Sequence, residues 1–219
     1  MPAKMQTFKT REEWLAARRT IGGSEAAATM GKSPHMSNLD LWKLKTGRME
    51  PADLSKNHLV QYGIRAEEHL RELFALDFPE YKVMYEPNNL WTNDKYPHAH
   101  ASLDGWLYDY AGRIGILEIK TATIQRAGQA DLWDGRLPDD YFIQLLHNMA
   151  VLEADFAILV AQQKWERGMD VLKVTKHYTV NRAGRETDIG LLMLKEGEFW
   201  TFVTSDLQPP LILPELRRR

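Results

Sequence analysis

Apolar and polar positions follow two rhythms along this chain, and the changes of rhythm mark out its elements. Residues 58–77, HLVQYGIRAEEHLRELFALD, carry the clearest helical period, with positions 59, 63, 66, 70, 73 and 74 on one side. The same geometry sets Glu67 about 60° from the centre of that stripe and turns Glu68 nearly the opposite way. Upstream, TREEWLAARR predicts a helix in which Thr10 and Glu13 form a capping-box pattern and Trp14 and Leu15 open the apolar face. After the turn TIGG comes SEAAATMG, with Ser24 expected as N-cap and Gly31 as stop. NLDLWKLKTG predicts a third helix ending at Gly47. PDDYFIQLLHNMAVLEA predicts another, with Tyr141, Leu145, Met149 and Leu152 on a shared face. A last helix is expected from Arg185 to Trp200, because the prolines of QPPLILPE cannot continue it.

The period-two segments are YKVMYEP, the 99–107 run, GRIGILEIKT, DFAILVAQQ and DVLKVTKHYTV. The polar connection from Thr121 to Pro138 is expected to be a mobile loop over a site. This order predicts an α/β fold with a central mixed β-sheet flanked by helices. With 219 residues, a single domain over 1–219 is the simplest count, with a C-terminal tail from about 207 to 219.

Composition narrows the class without deciding it. No stretch is apolar for the length of a bilayer crossing, and MPAKMQTFKTREEW lacks the apolar core of a signal peptide. Cysteine is absent, which excludes disulfides and thiolate metal sites and fits a reducing compartment, so a cytoplasmic location is expected. The formal net charge of −2 gives no sign of nucleic-acid binding, although a local basic lining can bind DNA on an acidic protein. The dense cationic run LRRR, Leu216 to Arg219, reads as a solvated tail.

The chemistry is concentrated in HAHASLDGW, residues 98–106, and ILEIKTA, residues 116–122. Alternation puts Ile114, Ile116, Glu118 and Lys120 on one face of the strand and Gly115, Leu117, Ile119 and Thr121 on the other. The turn DYAGR lets the segment carrying Asp104 fold back beside Glu118. Two carboxylates converging from adjacent strands make a hard oxygen site suited to Mg²⁺ or Mn²⁺, with Lys120 beside it. The plain alternative is a Glu118–Lys120 ion pair on a solvent-facing strand. RRTIGGSE reads in two ways as well. Its glycines and serine present backbone N–H groups, with an arginine alongside, to an anion such as a terminal 5′-phosphate, or they form an ordinary capped turn. His98, His100 and His147 read as ordinary histidines rather than metal ligands. Trp91, Trp106, Trp133 and Trp200 read as core or interface packing, with Trp133 the one that could alternatively stack on a DNA end.

Asp104 followed by Glu118-Ile119-Lys120 resembles the signature of the PD-(D/E)XK nuclease superfamily. Four ordered blocks, RRTIGGSEAAATMGKSP, YGIRAEEHLRELF, HASLDGW with ILEIKT, and YFIQLLHNMAVLEADFAILVA, narrow the resemblance to the YqaJ group of phage-type alkaline exonucleases, relatives of the lambda exonuclease. The resemblance implies a restriction-endonuclease-like core. It implies that Asp104, Glu118 and the Ile119 carbonyl bind Mg²⁺ (Mn²⁺ as substitute), with Glu67 reaching the same metal. It makes Lys120 the residue that positions or activates water, and sets Gln144 near the reacting phosphate. Arg18 or Arg19, with Ser24, would bind phosphate, and the role of His147 stays open. It further implies digestion of one strand of linear double-stranded DNA from its 5′ end, a ring-shaped homotrimer, and a single-strand annealing protein as partner. Two rival expectations are an endonuclease of the same superfamily and a non-catalytic DNA-end binding module with structural acids.

Overall fold

In a computed structural model, residues 3–124, 127–133, 135–167 and 170–213 are described. Five strands form the main sheet: β3 (Lys82–Met84), β6 (Gly105–Tyr108), β7 (Ile114–Ile124), β8 (Phe156–Arg167) and β9 (Asp170–Asn181), in the order β3-β6-β7-β8-β9. Only the β7–β8 pair is parallel; β3–β6, β6–β7 and β8–β9 are antiparallel. A parallel pair needs a crossover, and the helix Asp139–Leu152 provides it.

That helix, α6, covers one face of the sheet, and α4 (His58–Asp77) covers the other. Leu145 and Met149 of α6 pack with Ile116, Ala157 and Leu159; Leu70 and Phe74 of α4 pack with Leu117, Ile119, Ile158 and Val160. The alternation along ILEIKT is therefore used in full, since each face of β7 meets a helix. The stripe of α4 is shorter than its period promised. Leu70 and Phe74 are buried, but Leu59 and Leu73 are about half exposed, at 50% and 53%.

A second, four-stranded sheet was not foreseen. It joins β1 (Lys4–Thr7), β4 (Asn89–Thr92), β5 (Ala99–Ala101) and β2 (Ile21–Gly22) in the order β1-β4-β5-β2. The expected 99–107 strand divides here: β5 belongs to this sheet, β6 to the main one, and Ser102–Asp104 is the step between them. Helices α1 (Arg11–Ala17), α2 (Gly23–Thr29) and α3 (Asn38–Lys45) precede α4, and α7 runs Glu186–Thr204, beyond the expected Trp200. Thr10 caps α1 by accepting from the Glu13 N–H, while the Glu13 carboxylate takes the Lys9 N–H.

The 121–138 connection is no free loop where described: β7 continues to Ile124, α5 spans Ala127–Ala130 and a 3₁₀ turn spans Asp131–Trp133. Trp133 is buried against Tyr141 and Tyr178, as the packing reading expects, which leaves no surface stacking platform there. The start of the expected C-terminal tail is also tied down. Asn38 donates to the Pro210 carbonyl and accepts from the Ile212 N–H. The LRRR run lies outside the described residues. Among the described residues no helix is long and apolar enough to cross a membrane.

Candidate active site

β6 begins only at Gly105, opposite Leu117, while β7 continues through Glu118, Ile119 and Lys120. The β7 edge is thus unpaired at this point, and the Asp104 carboxylate fills the gap by accepting the Ile119 N–H at 2.8 Å. The late start of β6 is what brings Asp104 beside Glu118. It is the amide of Ile119, with its side chain buried in the α4-side core, that the structure ties to this corner.

Glu118 is buried, and its Oε1 accepts from Lys120 Nζ at 2.7 Å and from Gln144 Nε2 at 2.6 Å. Asn148 Nδ2, one turn further along α6, reaches Oε2 at 3.3 Å. The Glu118–Lys120 pair therefore forms, but inside the protein and not on a solvent-facing strand. From the opposite face of the sheet α4 presents Glu67, which accepts from Arg71 at 3.3 Å. Arg71 also donates to the Asp104 carbonyl at 2.6 Å and lies 3.6 Å from the centre of the Tyr85 ring. Glu67, Asp104, Glu118, Lys120 and Gln144 line a single cavity of about 520 Å³.

Charge is crowded there. Burial, then the field of Asp104, pushes Glu67 up to about 7, with Arg71 opposing. Burial likewise carries Glu118 up to about 7 despite Lys120. Burial raises Asp104 too, against the pull of Lys120 and the Ile119 N–H. Lys120 shows the converse: burial disfavours its charge, yet Glu118 and Asp104 hold its pKa above the usual value, so it is an ammonium donor. Among the described residues no group of three His, Asp or Glu side chains is already gathered as a metal cage. Glu118 is held by Lys120 and Gln144, and Glu67 by Arg71. The donor set nevertheless fits a hard divalent ion, because three carboxylates share one cavity and each suffers from burial without full compensation.

The second part of the same cavity is built by the RRTIGGSE segment. Arg18, Gly23 and Ser24 line it. Arg19 does not; its guanidinium turns back to the Ala16 carbonyl. Arg18 lies 4.4 Å from the centre of the Trp14 ring and donates to His100 Nε2 at 3.4 Å. Burial and the nearby arginine hold His100 down to about 2, so it is neutral and can accept; its Nδ1–H then faces Thr20 Oγ1. Ser24 is not the N-cap, which is Gly22, but the second residue of α2, exposed to the cavity. The glycines serve close approach more than anion binding. The Gly22 N–H is already taken by Glu25, and a Cβ on Gly23 would overlap Asn148 Oδ1.

Comparison with known proteins follows this geometry. Residues 13–157 match the YqaJ-like viral recombinase domain family. The chain belongs to that family. YqaJ of Bacillus subtilis (strain 168), a protein named as uncharacterized, is 27% identical over 162 residues, which is 71% of this chain and 48% of the relative. The chain thus spans about half the length of that curated relative. Among solved structures, the alkaline exonuclease LHK-Exo from Laribacter hongkongensis superposes with a TM-score of 0.64 at 19% identity, covering 89% of this chain and 93% of that one. Its complex with dAMP gives 0.63. A phage related exonuclease from Haemophilus somnus 129PT gives 0.50 at 15% identity, covering 92% of this chain and 97% of that one. At such identities the likeness establishes the fold alone, the α/β fold that this chain shares with the alkaline exonuclease LHK-Exo.

In this YqaJ-like domain several cavity residues had escaped the sequence reading. Ser102 lines the cavity, and its Oγ is buried without a hydrogen-bond partner among the described residues. Arg71 and Asn148 each sit four residues beyond a site residue on the same helix, Glu67 and Gln144, a spacing that would have flagged them. His147 is not in the cavity. It is wholly buried, with Nδ1 at 2.8 Å from Glu196 of α7 and Nε2 at 2.8 Å from the His100 carbonyl.

Proposed function

We propose that this chain is a divalent-metal-dependent deoxyribonuclease that digests one strand of linear double-stranded DNA from its 5′ end, leaving 3′ single-stranded overhangs. The observation that carries the reading is the shared cavity, where Asp104, Glu118 and Glu67 face Lys120 and Gln144 a short way from Arg18 and Ser24. Family membership and the exonuclease fold support it.

Asp104, Glu118 and Glu67, with the Ile119 carbonyl, would hold Mg²⁺ (Mn²⁺ as substitute). When bound, such an ion supplies Lewis acidity toward a phosphodiester and toward water. The chain's own residues do the rest. Lys120, kept protonated by Glu118 and Asp104, donates toward the attacking water or the charge that develops on phosphate. Gln144 holds Glu118 Oε1 by one N–H and keeps a second for a phosphate oxygen. Asn148 fixes the other oxygen, and Arg71 ties the Asp104 loop to α4. Arg18, Ser24 and Ser102 receive the terminal phosphate and so set the register of the strand. We further place the enzyme in a ring-shaped homotrimer serving strand-annealing recombination beside a single-strand annealing protein, in the cytoplasm of a bacterial cell. The exposed Leu59, Leu73 and Leu76 of α4 offer apolar area for subunit contact.

The test is Mg²⁺-dependent digestion of linear duplexes labelled separately at the 5′ and 3′ ends, with covalently closed circles as control. Early release of the 5′ label with circles intact is the expected result. Early release of the 3′ label, or cleavage of circles, would refute this polarity or mode.

A further inference from the structure

Four cationic side chains line the cavity, and they fall into two kinds. Lys120 and Arg71 have carboxylate partners, Glu118 at 2.7 Å and Glu67 at 3.3 Å. Arg11 and Arg18 have no ion-paired carboxylate among the described residues. Instead both guanidiniums sit over the same indole, their central carbons 5.5 Å and 4.4 Å from the centre of the Trp14 ring. That ring is fixed, because its N–H donates to the Asn89 carbonyl at 2.9 Å. Two like charges have thus been brought to one rigid aromatic surface on the wall of a polar cavity. Burial lowers the pKa of Arg18, Glu25 opposes that shift, and Arg11 adds a smaller repulsion. Glu25 is itself paired with Lys45 at 2.6 Å, and no carboxylate among the described residues pairs with either guanidinium, so a direct partner is left for an anionic ligand to supply.

A phosphodiester carries one negative charge, whereas a terminal phosphomonoester carries about 1.5 to 2 at neutral pH and exposes three acceptor oxygens. With its extra charge and third terminal oxygen, the monoester matches two forked donors better than the diester does. We propose that Arg11 is a second guanidinium contact to a terminal 5′-phosphomonoester, so that Arg11 itself contributes to the discrimination between phosphorylated and unphosphorylated ends. This rests on the terminal-phosphate reading of the Arg18–Ser24 pocket and adds to it the residue that measures charge. Arg18 has part of its donor capacity engaged with His100, whereas Arg11 is free of any such hydrogen bond among the described residues. Trp14 holds both in place by cation–π contact, which tolerates arginine better than a shorter or uncharged side chain.

The experiment is a comparison of kcat/KM on linear duplexes carrying a 5′-phosphate or a 5′-hydroxyl, for the wild type, Arg11→Ala and Arg11→Lys. Arg11→Ala is expected to cut the phosphate-to-hydroxyl ratio by about tenfold or more, as loss of a charge-assisted contact does. Arg11→Lys is expected to recover part of the ratio through charge without the fork. A merely structural effect slows both substrates alike and leaves the ratio where it was. A wild-type preference that persists unchanged in Arg11→Ala overturns the inference alone. A wild type that treats both ends equally overturns the phosphate pocket, and this inference with it.

Discussion

Lys120 is where the side-chain chemistry is most constrained. Its ammonium is retained by Glu118 and Asp104 against burial, which fits a donor and poorly fits a general base. Lys120→Ala should lower turnover by about a hundredfold to ten-thousandfold while the fold and DNA affinity survive. Circular dichroism and a gel-shift titration in Ca²⁺, run beside the rate measurement, check this. Full turnover in the variant would remove Lys120 from the chemistry. This much was legible in the sequence, because alternation alone makes Glu118 and Lys120 neighbours on one face. The partners of the pair were not. Arg71 and Asn148 reach Glu67 and Glu118 through contacts whose direction no residue pattern specifies, although the spacing of four from Glu67 and Gln144 is a usable hint.

Between elements, the decisive contact is the buried His147–Glu196 pair, which joins α6 to α7 and, through the His100 carbonyl, to β5. Both ring nitrogens of His147 face acceptors, so the imidazolium is the form that satisfies them. Burial opposes that charge, but Glu196 and the His100 carbonyl raise the pKa of His147 above its ordinary value. The stabilisation is then fully present below about pH 6.5 and fades as pH rises through the elevated native value. Glu196→Gln should cost about 3–5 kcal/mol at pH 6, with a smaller cost at higher pH, in urea unfolding followed across that range. A cost independent of pH would mean that the pair is not ionised. A contact between residues 49 apart is invisible to periodicity, which is why the role of His147 could not be read beforehand. The same limit explains the divided 99–107 segment. Both halves are strand-like, and only the sheets they join distinguish them. The long, strongly periodic α4 and α6, by contrast, were foreseen with almost their observed bounds.

At the scale of the whole molecule, the site exists because distant segments end at one place. The main sheet fixes Glu118 and Lys120, its truncated neighbour delivers Asp104, α4 and α6 supply Glu67 and Gln144 from opposite faces, and the α1–α2 segment closes the cavity with Arg18 and Ser24. The order of motifs was readable, but their convergence needed the sheet order β3-β6-β7-β8-β9 and the late start of β6 at Gly105. The most direct test of that convergence is the Mg²⁺-dependent release of nucleotides from a linear duplex by Asp104→Ala, purified and assayed beside the wild type. A fall of about a thousandfold or more, with the melting temperature held, is what loss of a carboxylate from a metal-assisted hydrolytic site predicts. Release at the wild-type rate would contradict it.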